Sequence, residues 1–425
     1  MKKSVSATNV KDRNHIPGDL VFSILSKLPL KSLKRFGCVH KSWAFLFENF
    51  HFMIMYCNYF LSNNHSYYDG TSILLNHTNN HLPGDAFYDT LYILSGERVE
   101  IMVKLDWPPP FHEDDRFIDI LSQTSVNGTL CLAKDCDPKC VFWNPTTDEF
   151  KVIPSSPFLS QLSQSRYVDP MVYFNGFGYD HVRDDYKVIR WLSYYPITDV
   201  DEPWDEDLSL DNTGVDEPSD EDLSLHNTGV DEPKEEYLDV DHMWEIYSLR
   251  TNSWRKLDIE MPCRHANEKL YMDGVCHWWS ILDDINCYEV EPRLVSFDLC
   301  NEVCITTPLP SDIIERYDLL HLTLLNGSIA FIIYDEITTF HIRILGELGV
   351  KESWVEVFVI EPLPGIERPI GAGKNGHIFF RKDDDELVLY DLSTQMMEEL
   401  GVKGNKYYGC HIIIYKDTPL PIGGL

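Results

Sequence analysis

Apolar positions follow two regimes along the chain. Near the start they recur at helical spacing: Leu20, Ile24, Leu25 and Leu28 form one stripe of an amphipathic helix. Pro17 sits where a helix can begin, because the N–H it lacks would have no partner there. Asp19 falls in the first turn, where the helix dipole favours negative charge. Pro29 ends the helix, since a proline pushes the residue before it out of the α region. A second short helix is predicted from Leu30 to about Cys38, with Leu33 and Phe36 inward. A third is predicted from about His40, with Trp43, Leu46, Phe47 and Phe50 inward. A unit this small cannot bury enough apolar surface to stand alone. Residues 15–50 are therefore expected to need a partner surface, from another chain or from the domain C-terminal to them. Residues 1–14 carry no such pattern and read as a disordered lead. Residues 51–124 read as a junction with the first strands; FHFMIMYCNYFL (50–61) fits either the end of a helix or the start of a strand, and 91–105 reads as strand.

From about residue 120 a β theme repeats: an apolar strand, an Asn-Gly or Asp-Gly turn, another strand, then a strand closing on a polar turn and an aromatic. Asn-Gly and Asp-Gly are strong hairpin signals because both central residues need positive φ. The turn glycines are Gly128, Gly176, Gly274, Gly327 and Gly376, spaced 48, 98, 53 and 49 residues apart. The long interval holds a 43-residue insertion, so the underlying period is near fifty. That period points to propeller blades or a similar array of small antiparallel sheets over residues 125–415. The fold class expected is mainly β with a small N-terminal α module, the sheets forming an irregular β-propeller-like array.

The insertion, residues 199–241, is a tandem repeat: VDEPWDEDLSLDNTG, VDEPSDEDLSLHNTG, then a partial third copy. Eighteen of its residues are acidic and one, Lys234, is basic. Its flanks, YKVIRW and WEIYSL, read as the two strands of one hairpin, so the repeat is an expanded hairpin loop. Low hydrophobicity and high charge predict disorder, and loop closure costs little more for a long loop than for a short one. Its candidate target-binding positions are Asp199, Trp204, Leu208, Leu223 and Asp241; the alternative is a solvated, expanded loop with no role.

Composition narrows the function classes. The net charge of −32 disfavours non-specific nucleic-acid binding, which needs a basic footprint. Residues 1–50 run the other way, with nine Lys and Arg against three Asp and Glu, which suits an acidic partner. No apolar run approaches the length that spans a bilayer. The first residues lack the apolar stretch of a signal peptide. Eleven scattered cysteines then read as reduced thiols of a cytoplasmic or nuclear protein. Neither Cys131, Cys136 and Cys140 nor Cys300 and Cys304 has zinc-knuckle spacing, so no metal or cofactor is expected. Gly371–Lys374 lacks P-loop spacing, and no catalytic constellation stands out.

The stretch IPGDLVFSILSKLPLKSLKRFGCVHKSW resembles the F-box. The positions in register are Ile16, Pro17, Leu20, Ile24, Leu25, Leu28, Pro29, Ser32, Leu33, Val39, Lys41 and Trp43; Gly18 departs from the acidic or polar residue common there. The phrases WNPTTDEFKVIP, GFGYDHVRDDYKVIRW, YSLRTNSWRKL, DGVCHWW, SFDLCNE and SWVEVFVI resemble the F-box-associated domain of plant F-box proteins, including the F-box/kelch and S-locus F-box groups, although the kelch double glycine is missing. The resemblance implies a non-catalytic substrate receptor of an SCF-type (Skp–cullin–F-box) ubiquitin ligase. Ile16, Pro17, Leu20, Ile24, Leu25, Leu28, Pro29, Leu33, Phe36, Val39 and Trp43 would dock on the Skp-type adaptor, and through it on cullin and a RING protein. The β domain would hold a target protein. A competing reading is a propeller that binds a small molecule or glycan, with the helices as a cap and Trp278 or Trp279 lining a central pocket. A third is an enzyme on a propeller.

Overall fold

A computed structural model describes residues 16–422 apart from 63–70, 80–87, 96–100, 113–114, 116–117, 135–136, 163–169, 195–240, 263–267, 283–290, 315–318, 335–338 and 404–409. The expected lead 1–14 and the repeats within 199–240 lie outside the described residues. Helices come first: α1 (Gly18–Leu25), α2 (Leu30–Gly37), α3 (Lys41–Ala44), a 3-10 turn at Leu46–Glu48 and α4 (Phe50–Ser62). The undecided stretch 50–61 is thus helical. Phe52, Tyr56 and Phe60 lie four residues apart, and their rings stack at 6.2 and 6.3 Å along one face of α4. Phe50, expected inward, is instead exposed at the start of α4.

Twenty-four strands among the described residues make six four-stranded antiparallel sheets. The strands β1 (Thr71–Asn79), β2 (Tyr88–Ser95) and β3 (Ile101–Leu105) open the first blade. Residues 91–105 therefore form parts of two paired strands, Ser95 opposite Ile101. The second blade is β4 (Ile118–Ile120), β5 (Leu130–Lys134), β6 (Asp137–Asn144) and β7 (Glu149–Val152). The third is β8 (Met171–Asp180), β9 (Asp185–Tyr194), β10 (Asp241–Ser248) and β11 (Ser253–Leu257). The fourth is β12 (Lys269–Met272), β13 (Val275–Leu282), β14 (Glu291–Asp298) and β15 (Val303–Pro308). The fifth is β16 (Leu320–Leu325), β17 (Ser328–Tyr334), β18 (Phe340–Leu345) and β19 (Trp354–Ile360). The sixth is β20 (Ile366–Ala372), β21 (His377–Lys382), β22 (Glu386–Asp391) and β23 (Met396–Lys403). The last strand, β24 (Cys410–Lys416), returns to β1, placing Ile414 opposite Ile73 and Ile412 opposite Leu75. The first blade is thus built from both ends of the β region, with β24 as its innermost strand, which closes the ring of blades.

Four of the five turns behave as expected. Asn127-Gly128, Asp273-Gly274, Asn326-Gly327 and Asn375-Gly376 all have positive φ at both positions, and each precedes the second strand of its blade. The fifth is a correction: Gly176 lies inside β8, beside a register shift at Phe174/Gly176. A Cβ there would sit 2.8 Å from the Cys276 Cβ of the next blade, so this glycine permits close packing between blades and makes no turn. The hairpin of the third blade is at 181–184, with Asp184 at positive φ. The insertion joins neighbouring strands, as its flanks predicted: Tyr194 pairs with Asp241.

Antiparallel order sorts the connections onto two faces. Turns between first and second strands, and between third and fourth, lie on one face. The ends of the second and fourth strands open on the opposite one. The seams between blades are apolar; Trp244 and Trp278, for example, meet at 5.9 Å. One seam holds a buried ion pair, in which Arg190 donates to Glu245 Oε2 through Nε at 2.9 Å and Nη2 at 2.7 Å. The Trp254 ring lies 3.7 Å from that guanidinium.

Candidate docking surface of the helical module

Two prolines set up the module. Pro17 and Pro29 each stand just before a helix, and their carbonyls accept the first backbone bonds, from Leu20 and Val21 and from Ser32 and Leu33. Extended ψ values of 140° and 146° at these prolines turn the chain sharply into α1 and α2. Gly18 opens α1 with nothing within 4 Å of where its Cβ would be, so its departure from the family pattern disturbs no packing.

The helices present two surfaces. One packs on the propeller. Leu25, Leu30, Leu33, Leu46, Phe52, Tyr56 and Phe60 share a core with residues of the fifth and sixth blades such as Ile332, Phe340, Val357 and Phe380. α4 forms the brace. Its Cys57 Sγ donates to the Val357 carbonyl at 3.1 Å. Asn326, in the hairpin turn of the fifth blade, donates to the Phe60 carbonyl at 3.1 Å, satisfying one of the acceptors a helix end leaves open. Burial pushes the Cys57 thiol up to about 11, so it stays protonated at neutral pH. Polar contacts frame the joint: Lys34 Nζ donates to the Glu352 carbonyl at 2.8 Å, and Lys31 and Arg35 each lie 3.2 Å from Glu347. Part of the module's basic charge is therefore directed at its own propeller.

The other surface faces solvent. Ile16, Leu20, Ile24, Phe36 and Val39 are exposed, Leu20 by 55%, Ile24 by 56% and Val39 by 74%. Pro17 and Pro29 are exposed as well. Trp43 is half-buried, its ring 5.9 Å from Phe36 and 5.3 Å from His40. Large apolar side chains left bare on and beside α1 and α2 make a surface suited to a partner. Two residues assigned to it from sequence belong to the other surface: Leu25 and Leu33 are 4% and 1% exposed and are covered by the propeller. Helical spacing placed them on the apolar stripe but could not say which of two neighbours the stripe would meet. Leu28 is half-buried and packs on that same core. Phe36, expected inward, faces out. Phe45, Phe50 and Ile54 are exposed too and were not assigned. In the insertion, Asp199, Trp204, Leu208 and Leu223 lie outside the described residues, and Asp241 begins β10.

Near the propeller axis the described side chains are polar and paired. Asp119 pairs with Lys269, Glu268 accepts from His321 Nδ1 at 3.1 Å and Trp279 Nε1 at 2.8 Å, and Gln123 Nε2 donates to the Leu322 carbonyl at 2.6 Å. The void beside them is about 20 Å³, room for about one water. Trp278 and Trp279, which the glycan reading placed in a central pocket, are buried in the blade cores, and among the described residues neither lines that void. Among the described residues no group of three or more His, Cys, Asp or Glu could hold a metal ion. Among them also, no helix is long and apolar enough to cross a membrane.

Comparison with known proteins shows the same division. Residues 14–55 match the F-box domain, and residues 226–417 match the F-box associated beta propeller domain. Several curated proteins of Arabidopsis thaliana are similar. One F-box protein is 30% identical over 180 residues, covering 42% of this chain and 41% of its own length. F-box protein CPR1 is 23% identical over 303 residues, covering 66% and 63%. An F-box/kelch-repeat protein is 21% identical over 397 residues, covering 90% and 89%. The chain spans less than two thirds of the length of the first two.

Proposed function

This chain carries an F-box joined to an F-box-associated β propeller, and from that premise we propose that it is the target-recognition subunit of an SCF-type ubiquitin ligase. F-box proteins are in general non-catalytic adaptor subunits. On this reading the exposed face of α1–α3 docks on a Skp-type adaptor, through which cullin and a RING protein are reached, and the propeller holds a target protein. The observation that carries it is the division of the module: one apolar surface is consumed by the propeller, and a second remains bare at Ile16, Pro17, Leu20, Ile24, Pro29, Phe36 and Val39. Each such anchor, once buried, contributes about 1.5–3 kcal/mol.

The chemistry asked of the chain is positional. A target lysine held near a charged conjugating enzyme experiences a raised effective concentration, and no side chain of this protein has to make or break a bond. Fixing α4 against the fifth and sixth blades gives the propeller a defined orientation relative to the adaptor, so that the held target stays within reach. The reading places the protein in the cytoplasm or nucleus, where its cysteines stay reduced.

Co-purification of a Skp-type adaptor with the full-length chain tests this. Wild type is expected to retain it. Leu20→Asp with Val39→Asp, which changes bare positions and leaves the joint to the propeller intact, is expected to lose it. Retention by that variant, or failure of the wild type, overturns the reading.

A further inference from the structure

We propose that the Skp-type adaptor reaches past the F-box and seats an apolar side chain, carried on an acidic segment, in the cleft between the Leu28-Pro29 hinge and the turns of the fourth and fifth blades. This rests on the receptor reading above and adds propeller residues to the adaptor's footprint.

The first observation is the cleft itself. It has a volume of about 480 Å³ and is lined by Leu28 and Pro29 between α1 and α2, by Tyr59 of α4, by Met272 of the fourth blade and by Leu345 and Leu348 of the fifth. The three propeller side chains are half-buried, with apolar surface open to the cleft. Its size lies within the range of roughly 300–1,000 Å³ typical of binding pockets. The propeller wall, residues 345–349, is fixed in advance. Glu347 N–H donates to Ser353 Oγ at 3.0 Å, and Gly349 N–H donates to Thr307 Oγ1 of the fourth blade at 2.7 Å. A Cβ on Gly346 would lie 3.1 Å from Leu30 Cγ, so α2 is pressed against that wall. A wall already ordered costs little entropy when a partner's side chain enters.

The second observation says what enters. Pro29 is exposed and belongs both to the bare face of the module and to the rim of the cleft, so a protein covering that face arrives at the mouth. Charge at the rim agrees. Lys31 and Arg35 share one carboxylate, Glu347, at 3.2 Å each, and Lys27, exposed beside them, has no acidic partner among the described residues. Against Glu347 and Asp273 these three cations leave the rim net positive. That sign favours an acidic segment and speeds its approach. The apolar lining beneath a charged rim then selects a large apolar side chain, the arrangement of an interface anchor in its pocket. One partner gripping both the F-box hinge and the propeller wall tightens the joint that α4 makes.

Biolayer interferometry with a purified Skp-type adaptor and the full chain tests this. Ser328→Trp, which fills the cleft from the fifth blade and leaves the F-box sequence intact, is expected to weaken adaptor binding at least about tenfold. Leu348→Ala, a milder change that keeps the test decisive if Ser328→Trp unfolds, is expected to weaken it about three- to tenfold. Lys27→Gln is expected to slow association, more at low salt than at physiological salt. Met396→Ala, on the exposed outer strand of the sixth blade, is expected to leave affinity unchanged. Hydrogen exchange on the complex reads the footprint directly: amides of residues 345–349 should slow on adaptor binding. Full affinity in folded Ser328→Trp and Leu348→Ala, or residues 345–349 that stay unprotected in the complex, overturns the inference and assigns the cleft to another occupant or to none. So does an equal loss in Met396→Ala. Those results leave the receptor reading standing, whereas failure of the wild type to bind the adaptor sinks both.

Discussion

Truncating Leu33 to alanine isolates the joint between the helical module and the propeller. Leu33 is 1% exposed and shares its core with Leu25, Leu30 and side chains of the fifth and sixth blades. The substitution removes three carbons from a dry, packed site. Transfer alone accounts for about 2 kcal/mol at ~0.8 kcal/mol per methylene, and an unfilled cavity raises the total to about 3 kcal/mol, inside the range of roughly 2–5 kcal/mol for such changes. At about 1.4 kcal/mol per factor of ten, the joint should open on the order of a hundredfold more often. Hydrogen exchange followed by mass spectrometry reads this directly: amides of α2, α4 and β19 should exchange faster by about that factor, while blades two and three stay protected. Val39→Ala, at a site 74% exposed, should change the same amides by less than about 0.5 kcal/mol. If Leu33→Ala leaves α4 exchange within about threefold of wild type, the module is not held by the propeller and its inner surface has been misread.

Other perturbations probe the fold that carries the docking surfaces. Arg190→Ala strands the buried carboxylate of Glu245 and should cost about 3–5 kcal/mol, read as a lowered urea midpoint; a midpoint unchanged from wild type contradicts the buried pair. Gly176→Val drives a side chain into Cys276 across the seam and should cost about 1–3 kcal/mol in a thermal melt, with no loss if the seam is looser than described. Burial lowers His77 to about 4 and His277 to about 3. The unfolded chain protonates these residues near pH 6.5, before the folded one does, so stability is fully present above that pH and falls as pH drops toward 4. Each contributes roughly 3 kcal/mol across that window. Urea midpoints between pH 7.5 and 4.5 should decline, and His277→Gln should flatten the slope; a level profile in the wild type would count against both assignments.

Much of the architecture was legible because it rests on local rules. Positive φ at Asn127-Gly128, Asp273-Gly274, Asn326-Gly327 and Asn375-Gly376 is a requirement of two-residue hairpins, and the spacing of those turns announces blades. Gly176 misled for the same reason: Asn-Gly inside β8 carries the turn signature, yet it answers to the close approach of Cys276, a contact a hundred residues away. The six-fold closure by β24 depends on pairing between the two ends of the β region, which no local pattern encodes. The module shows the same boundary. Apolar spacing identified the helices and their residues. Whether Leu25 and Leu33 would meet an outside partner or the propeller was decided by α4, whose Phe52, Tyr56 and Phe60 ladder was readable in residues 50–61 but hidden there among apolar residues equally suited to a strand.

On the receptor reading, the bare apolar face of the helical module is an adaptor-binding site. Calorimetric titration of a purified Skp-type adaptor into the full chain reads that contact itself. A saturable one-to-one complex is expected and, for Ile24→Asp, which leaves the propeller joint untouched, an affinity loss of at least about tenfold from a single buried anchor. No heat of binding with wild type, or an Ile24→Asp variant that binds as tightly, would contradict it.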